Sequence, residues 1–293
     1  MGYVAGVVSL YGLLEQSIDE IILEVAANYN KLHQSFLTMP ERVRNEFKSL
    51  ALNSIIDGPK SRLRADLDED DIFVALNSRS TSSLRRLVPA VFTRAQANYR
   101  HPLICELIAR LDVKLDERGL VTAASLAKTG MASVSSLLVD LVDRRNSLTH
   151  AYSIQDDILR SQRLLEYLDV LEQYLLSVES VANLRLLDEL VATGNAPRIG
   201  IMAKKYTDFI GVDLVGANLA IGDALLFQGK TGIFKGGRVT SLMADNVARD
   251  SVIAGVNEVV QLGVGMSDGP PRLGEGAAVH SVAQQWVELL PEA

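Results

Sequence analysis

The chain changes its periodicity near residue 195, and no single layered fold accommodates both halves. Before that point apolar residues recur at spacings of three and four. Leu10, Leu13, Leu14, Ile18, Ile21, Ile22 and Val25 mark the stripe of one amphipathic helix. "TMPERVRNEFKSLALNSIID" restarts a helix after Pro40, with Thr38 as its expected cap. "DLDEDDIFVALNS" places acids at a helix start, where they favour the macrodipole. "TSSLRRLVPAVFTRAQANYR" and "HPLICELIARLDV" read as two more helical pieces, and "SVSSLLVDLVDRRNSLTH" as another. Residues 155 to 190 read as a long final helix with Leu164, Leu168, Leu171, Leu175 and Val178 along one face.

After "ATGNAPR", a turn-rich linker, the pattern is short β-branched runs separated by glycines. "RIGIMA", "GVDLV", "ALLFQG", "GRVTSLM", "EVVQLGVG" and "AAVHSV" predict the strands of a small barrel or sandwich. The expected organisation is α+β and multidomain. A helical domain occupies 1–190, a linker 191–197, an all-β domain 198–282 and a tail 283–293. Trp286 and Leu289 make that tail a docking segment.

At 293 residues, 48% hydrophobic and 22% charged, the chain has enough apolar surface for real cores. A net charge of -7 argues against a protein that coats nucleic acid generally, and leaves room for a local basic groove. Cys105 stands alone, so neither an intrachain disulfide nor a cysteine metal cluster can form. "MGYVAGVVSLYGLLEQ" lacks a basic leader, meets Glu15 and Asp19 at once, and has Gly6 where myristoylation wants Ser or Thr. A soluble cytoplasmic protein with no membrane partner is expected.

Two motifs match in letters only. "GKT" at 229–231 has Ala224 where a P-loop needs glycine, and a strand-like stretch follows it. "GMSDG" at 265–269 fits G-x-S-x-G, but "PPRLGEG" follows instead of a helix, so a turn is expected. The four histidines are scattered, with no zinc spacing, and no metal or other cofactor is expected.

The informative stretch is "LVDRRNSLTHAYS". On an ideal helix Val134, Leu137, Leu138, Leu141 and Leu148 form an apolar stripe, and Arg145 falls on it. An arginine buried without a partner is costly, so this face is expected to line a cleft or meet another subunit. Asn146 and His150 are four apart and share the neighbouring polar face with Asp143. Arg145 and His150 differ by about 140° around the helix. For both to act on one group, the helix must end or distort near Thr149, or the arginine must reach around; "THAYS" favours the first. Histidine can exchange a proton near neutral pH, arginine binds phosphate oxygens in a fork, and asparagine can orient either. The set suits in-line cleavage of RNA without metal. The plainer alternative is a pair of solvated side chains favouring the dipole at a helix C-terminus.

"RRNSLTHAY", in the penultimate long helix of an all-α region, resembles the HEPN superfamily, in particular its ribonucleases with an R-x(4-6)-H motif. "SLYGLLEQSIDEIILEVAANY" is similar to the subgroup's first helix, with an aromatic and a glutamate near its start, and "LVPAVFTRAQANYRHPLICELIARLDV" also resembles it. The resemblance implies an antiparallel helical bundle that pairs as a homodimer and brings two Arg145/His150 sets to one groove. It makes Arg145, His150 and Asn146 catalytic, with Asp143, Arg144 and Glu15 supporting. The implied activity is an endoribonuclease that leaves a 2′,3′-cyclic phosphate on tRNA, rRNA or mRNA. The implied setting is a toxin or anti-phage defence effector, with an antitoxin, defence-system or translation-machinery partner. Non-catalytic scaffolds also occur in the superfamily, and that alternative stays open.

RNA needs a basic track. Between Arg79 and Arg110 stand six arginines (79, 85, 86, 94, 100, 110) against one acid, Glu106, and Tyr99 could stack a base. A solvated helix face is the other reading of the same run. Finally, "NLAIGDALLFQGKTGIFKGGRVTSLMADNVARDSVIAGVNEVVQLGV" resembles the second-domain β-barrel of translational GTPases such as elongation factor Tu. Its marks are Leu219, Gly222 and Asp223, the last two forming a hairpin turn. The GTPase domain is absent. The resemblance implies that this barrel recruits RNA or a translation partner, or else supports the fold.

Overall fold

A computed structural model describes residues 2–57, 69–77, 86–94, 97–150 and 158–291, except for the side chains at 57, 77, 149 and 150. The chain divides into two compact units, Met1–Ala182 and Asn183–Ala293.

The first unit is helical. Helix α1 (Gly2–Leu32) buries Val7, Leu10, Tyr11, Leu14, Ile18, Ile22, Val25 and Tyr29. These lie three and four apart, so one face enters the core while Leu13 stays 43% exposed. Helix α2 (Glu41–Asp57) starts at Pro40, whose carbonyl accepts the Arg44 N–H at 3.1 Å. Thr38 is not its cap. The Thr38 hydroxyl donates to the Ser35 carbonyl in a preceding 3-10 turn. Helix α3 (Glu69–Asn77) carries Glu69, Asp70 and Asp71 in its first turn.

The segment "TSSLRRLVPAVFTRAQANYR" departs from expectation. Its described residues form only a 3-10 turn at Pro89–Val91. The physical reason lies partly in Arg110. Its Nη1 donates to the carbonyls of Phe92 and Arg94, which a continuing helix would have used itself. Helix α4 (His101–Ala109) follows, then α5 (Ala123–Thr129), α6 (Val134–His150) and α7 (Ser161–Ala192). The run Ala123–Leu148 is apolar enough, at a mean hydropathy of 1.2, for a membrane-crossing segment by length and composition. It is not one helix, because Gly130 at φ +70° caps α5 in the left-handed region before α6 begins.

The buried face of α7 keeps only Leu171 and Val178 of the predicted row. Tyr167, Val170, Leu171, Tyr174 and Val178 are buried, whereas Leu168 is 37% exposed. The two tyrosines take the core positions because their hydroxyls meet polar partners there, Asp140 and His101.

The second unit contains the end of α7 and nine strands. They are β1 (Arg198–Lys205), β2 (Ile210–Val215), β3 (Asn218–Ala220), β4 (Ala224–Gln228), β5 (Phe234–Ala244), β6 (Val247–Arg249), β7 (Ser251–Ile253), β8 (Val259–Met266) and β9 (Ala278–Val282). The order β4-β9-β1-β2-β8-β5 closes on itself through β4–β5 pairing, giving a six-stranded antiparallel barrel. Closure removes the free edges that a sandwich would keep. Inward residues such as Met202, Val212, Leu225, Phe227 and Val264 fill it. Gly200 permits the close β1–β2 approach, since a Cβ there would lie 2.2 Å from the Asp213 carbonyl oxygen.

Gly222, at φ +93°, and Asp223 do make a tight turn, with the Asp223 carboxylate accepting the Ala220 N–H at 2.8 Å. It is not a hairpin. It joins β3 to β4, and β3 pairs with β7 instead. "GKT" lies in the β4–β5 turn, and "GMSDG" runs from β8 into another turn. Trp286 and Leu289 are buried in a closing 3-10 turn, Gln284–Leu289.

Candidate active site

Helix α6 begins on a reciprocal cap. Ser133 Oγ accepts the Ser136 N–H at 3.1 Å, and Ser136 Oγ accepts the Ser133 N–H at 3.0 Å. Val134, Leu137, Leu138, Leu141 and Val142 then sink into the core. This anchors the N-terminal half of the helix and presents its C-terminal half at the margin of the bundle.

Two adjacent arginines there have different environments. Arg144 is the buried one, 5% exposed. Its Nε donates to Asp140 at 2.7 Å and its Nη1 to the Tyr3 hydroxyl at 3.2 Å. Asp140 also accepts the Tyr167 hydroxyl at 2.9 Å. The Tyr167 phenol is pushed far above its ordinary range, first by burial and then by the Asp140 charge and hydrogen bond. Arg144 therefore ties α6 to α1 through Tyr3, and the carboxylate it shares with Tyr167 ties α6 to α7.

Arg145 is half-buried. Its guanidinium lies over the Tyr11 ring, 5.0 Å from the centroid, and its Nη1 donates to Asn146 Oδ1 at 3.1 Å. The cation–π contact explains why an arginine tolerates the apolar stripe. The Tyr11 hydroxyl accepts the Tyr99 N–H at 3.3 Å. The next residue, Arg100, donates to Asp143 at 2.7 Å across a solvent-exposed gap. Arg100 is also the N-cap of α4, where no side chain caps the first turn. Arg145, Tyr11, the Tyr99 backbone, Arg100 and Asp143 thus form one cluster where α6, α1 and the start of α4 meet. Such a cluster offers two guanidinium groups and a helix N-terminus to an anion. Glu15 follows Tyr11 by one turn of α1 and is half-buried.

The sequence model of one family, described as RiboL-PSP-HEPN, matches residues 4–183, more than half of the chain. The chain belongs to the RiboL-PSP-HEPN family. HEPN domains typically bind RNA, typically act as ribonucleases and often dimerise, so the family suggests a nuclease or RNA-related role. No curated protein matches the chain. Among solved structures, GDP-bound aIF5B from Aeropyrum pernix matches at 14% identity over 45% of this chain, with a TM-score of 0.22. The match spans 24% of that protein.

In this RiboL-PSP-HEPN protein the expected site residues do not all come together. Arg145, Asn146, Asp143 and Arg100 share one cluster. His150 is the last residue of α6, so the helix does not end before it. The His150 side chain, Arg79 and Arg85 lie outside the described set. Arg86 is exposed, whereas Arg94 is half-buried beside a separate cavity. Tyr99 cannot stack a base. It is 3% exposed and its hydroxyl donates to buried Asp19 at 2.5 Å.

Sequence reasoning missed the Asp140 anchor, although Asp140 and Arg144 stand at the i,i+4 spacing of a helical ion pair. It also missed His101. That ring is buried, with Nδ1 3.0 Å from the Tyr174 hydroxyl and Nε2 3.4 Å from Cys105 Sγ. Burial lowers the His101 pKa against the opposing charge of Glu117, and burial raises that of Cys105. In both groups burial disfavours the charged form.

Proposed function

We propose that this protein is a metal-independent endoribonuclease. In the reaction the ribose 2′-oxygen forms a bond to the adjacent phosphorus while the bond from phosphorus to the 5′-oxygen breaks. The 2′-hydroxyl proton passes to a base and a proton reaches the leaving oxygen. The products are a 2′,3′-cyclic phosphate and a 5′-hydroxyl. His150 takes or returns the proton. Arg145 stabilises the charge that builds on the phosphorane, and Asn146 holds the guanidinium in orientation. Arg100 and the open N-terminus of α4 receive a neighbouring phosphate. Tyr11 is the platform on which Arg145 is poised.

The observation that carries this reading is the placement of Arg145 on Tyr11 beside Asn146 and the Arg100–Asp143 pair. A guanidinium held at the bundle margin over an aromatic face is preorganised for a phosphate. Positions 145 and 150 lie on one helix, where an ideal geometry sets them about 140° apart. A homodimer would supply a histidine from one protomer and an arginine from the other. The expected setting is a toxin or anti-phage effector acting on tRNA, rRNA or mRNA, with the barrel recruiting RNA or a translation partner.

The second reading is a non-catalytic RNA-binding scaffold. It is favoured by the fact that Arg145 already has the Tyr11 ring and Asn146 as partners. Purified wild type and His150→Ala, incubated with total RNA and with tRNA in EDTA, separate the two. Cyclic-phosphate ends from wild type alone support the enzyme. Equal traces from both proteins support the scaffold.

A further inference from the structure

A cavity of about 530 Å³ opens in the helical unit away from the Arg145 cluster. Its walls are Leu50 and Asn53 from α2, Arg94 and Ala97, and Leu103, Glu106 and Arg110 from α4 and its end. The volume falls in the range that takes small organic ligands. Its chemistry is divided. Leu50 and Leu103 offer apolar contact, Asn53 offers an exposed amide, and two guanidinium groups face one carboxylate. Arg110 is fixed, with Nη1 on the Phe92 and Arg94 carbonyls and Nη2 on Glu106 at 2.9 Å. Its charge therefore stays where the cavity needs it.

The cavity and the candidate active site share α4. Arg100 stands at its N-cap, paired with Asp143 of α6, and Arg110 stands at its C-cap. Ten residues of helical rise separate them by about 15 Å. Leu103, one turn from Arg100, and Glu106, one turn further, line the cavity along the intervening face. We propose that this cavity is a nucleotide subsite of the RNA track. One base of single-stranded RNA enters against Leu50 and Leu103, the Asn53 amide meets the base edge, and the arginines receive the adjoining phosphate. The inference rests on the ribonuclease reading and gives it a specificity determinant remote from the scissile bond. An Asn amide is suited to the paired donor and acceptor on a base edge, so the site selects one flanking base.

Binding is measured by fluorescence anisotropy on full-length His150→Ala protein with a short fluorescein-labelled single-stranded RNA. Leu103→Trp, which fills the cavity, and Asn53→Ala, on an exposed position of α2, are introduced on that background. Affinity is expected to fall about tenfold or more for Leu103→Trp, with an unchanged melting temperature. Asn53→Ala is expected to fall severalfold and to flatten the base preference at one fixed position from the cut. In the cleaving protein both raise KM and leave kcat unchanged. Unchanged affinity in a folded Leu103→Trp, or in Asn53→Ala should the tryptophan variant misfold, overturns the subsite. If both variants lose affinity while wild type cleaves nothing, the subsite stands and the ribonuclease reading falls.

Discussion

The two units bury different things. Eight of the ten described buried polar or charged residues, including Asp19, His101 and Arg144, lie in the helical unit; only Glu189 and His280 lie in the other. The barrel core is apolar from Ile199 to Val279. An apolar barrel needs only volume and register to be stable. A helical unit with a buried Asp19–Tyr99 contact and a buried Arg144 held by Asp140 needs every partner in place, because each orphaned group costs more than its bond contributes. That cost is the means by which α6 is locked to α1 and α7 with Arg145 at the margin.

The contrast can be broken at four strengths. The largest effect is on chemistry alone. Arg145→Ala should lower the RNA cleavage rate by about a hundred- to a thousandfold while the melting temperature hardly moves, read by cleavage kinetics beside calorimetry. A cleavage rate within a factor of a few of wild type would remove Arg145 from the reaction. Next come paired stability losses. Asp140→Ala leaves the buried Arg144 guanidinium without its carboxylate partner and should cost about 3 kcal/mol. Phe227→Ala opens a void in the barrel and should cost about 3 to 5 kcal/mol. Urea unfolding reads both. If Asp140→Ala costs less than half a kilocalorie, the polar network is not what holds α6.

A smaller effect belongs to Arg100. Its pair with Asp143 is exposed, so Arg100→Ala should leave stability within about 1 kcal/mol. RNA affinity should fall severalfold, and its dependence on log salt should lose about one unit of slope. An unchanged salt slope would take Arg100 off the phosphate path. The smallest effect is on pH, and here the units behave alike. Burial lowers the pKa of both His101 and His280 below the ordinary 6.5. Below about 6.5 the unfolded chain binds protons that the folded rings refuse, so stability is full above that pH and declines as the solution is acidified through it. Urea midpoints should therefore fall from pH 7.5 to pH 5.5. His101→Phe should flatten the fall in the helical unit and leave that of the barrel. An unflattened fall would assign the acid sensitivity elsewhere.

Much of this was legible before any coordinates. Six strand runs correspond to the six strands of the closed barrel, because β-branched runs between glycines report strand length and turn position directly. The "RRNSLTH" helix also read correctly, as did Val134, Leu137, Leu138 and Leu141 of its apolar stripe, since 3.6-residue periodicity is a local property. The site was legible in part. Asn146 beside Arg145 is visible in the letters, and the aromatic near the start of the first helix is Tyr11, but nothing local says that its ring lies under Arg145. Tyr99 misled for the same reason, since an aromatic among arginines has the composition of a stacking platform. Only its contact with Asp19, 80 positions away, shows that it is core.

By itself, then, the sequence determined a helical region, a barrel of short strands and the helix that carries R-N-x-x-x-H, because period, caps and turns act over a few residues. Tertiary structure alone decided which arginine was buried, which face of α7 turned inward and which side chains surround Arg145. Those outcomes depend on the partner that each polar group finds across the core. A hydroxyl or guanidinium is tolerated in the interior only where a distant residue satisfies it.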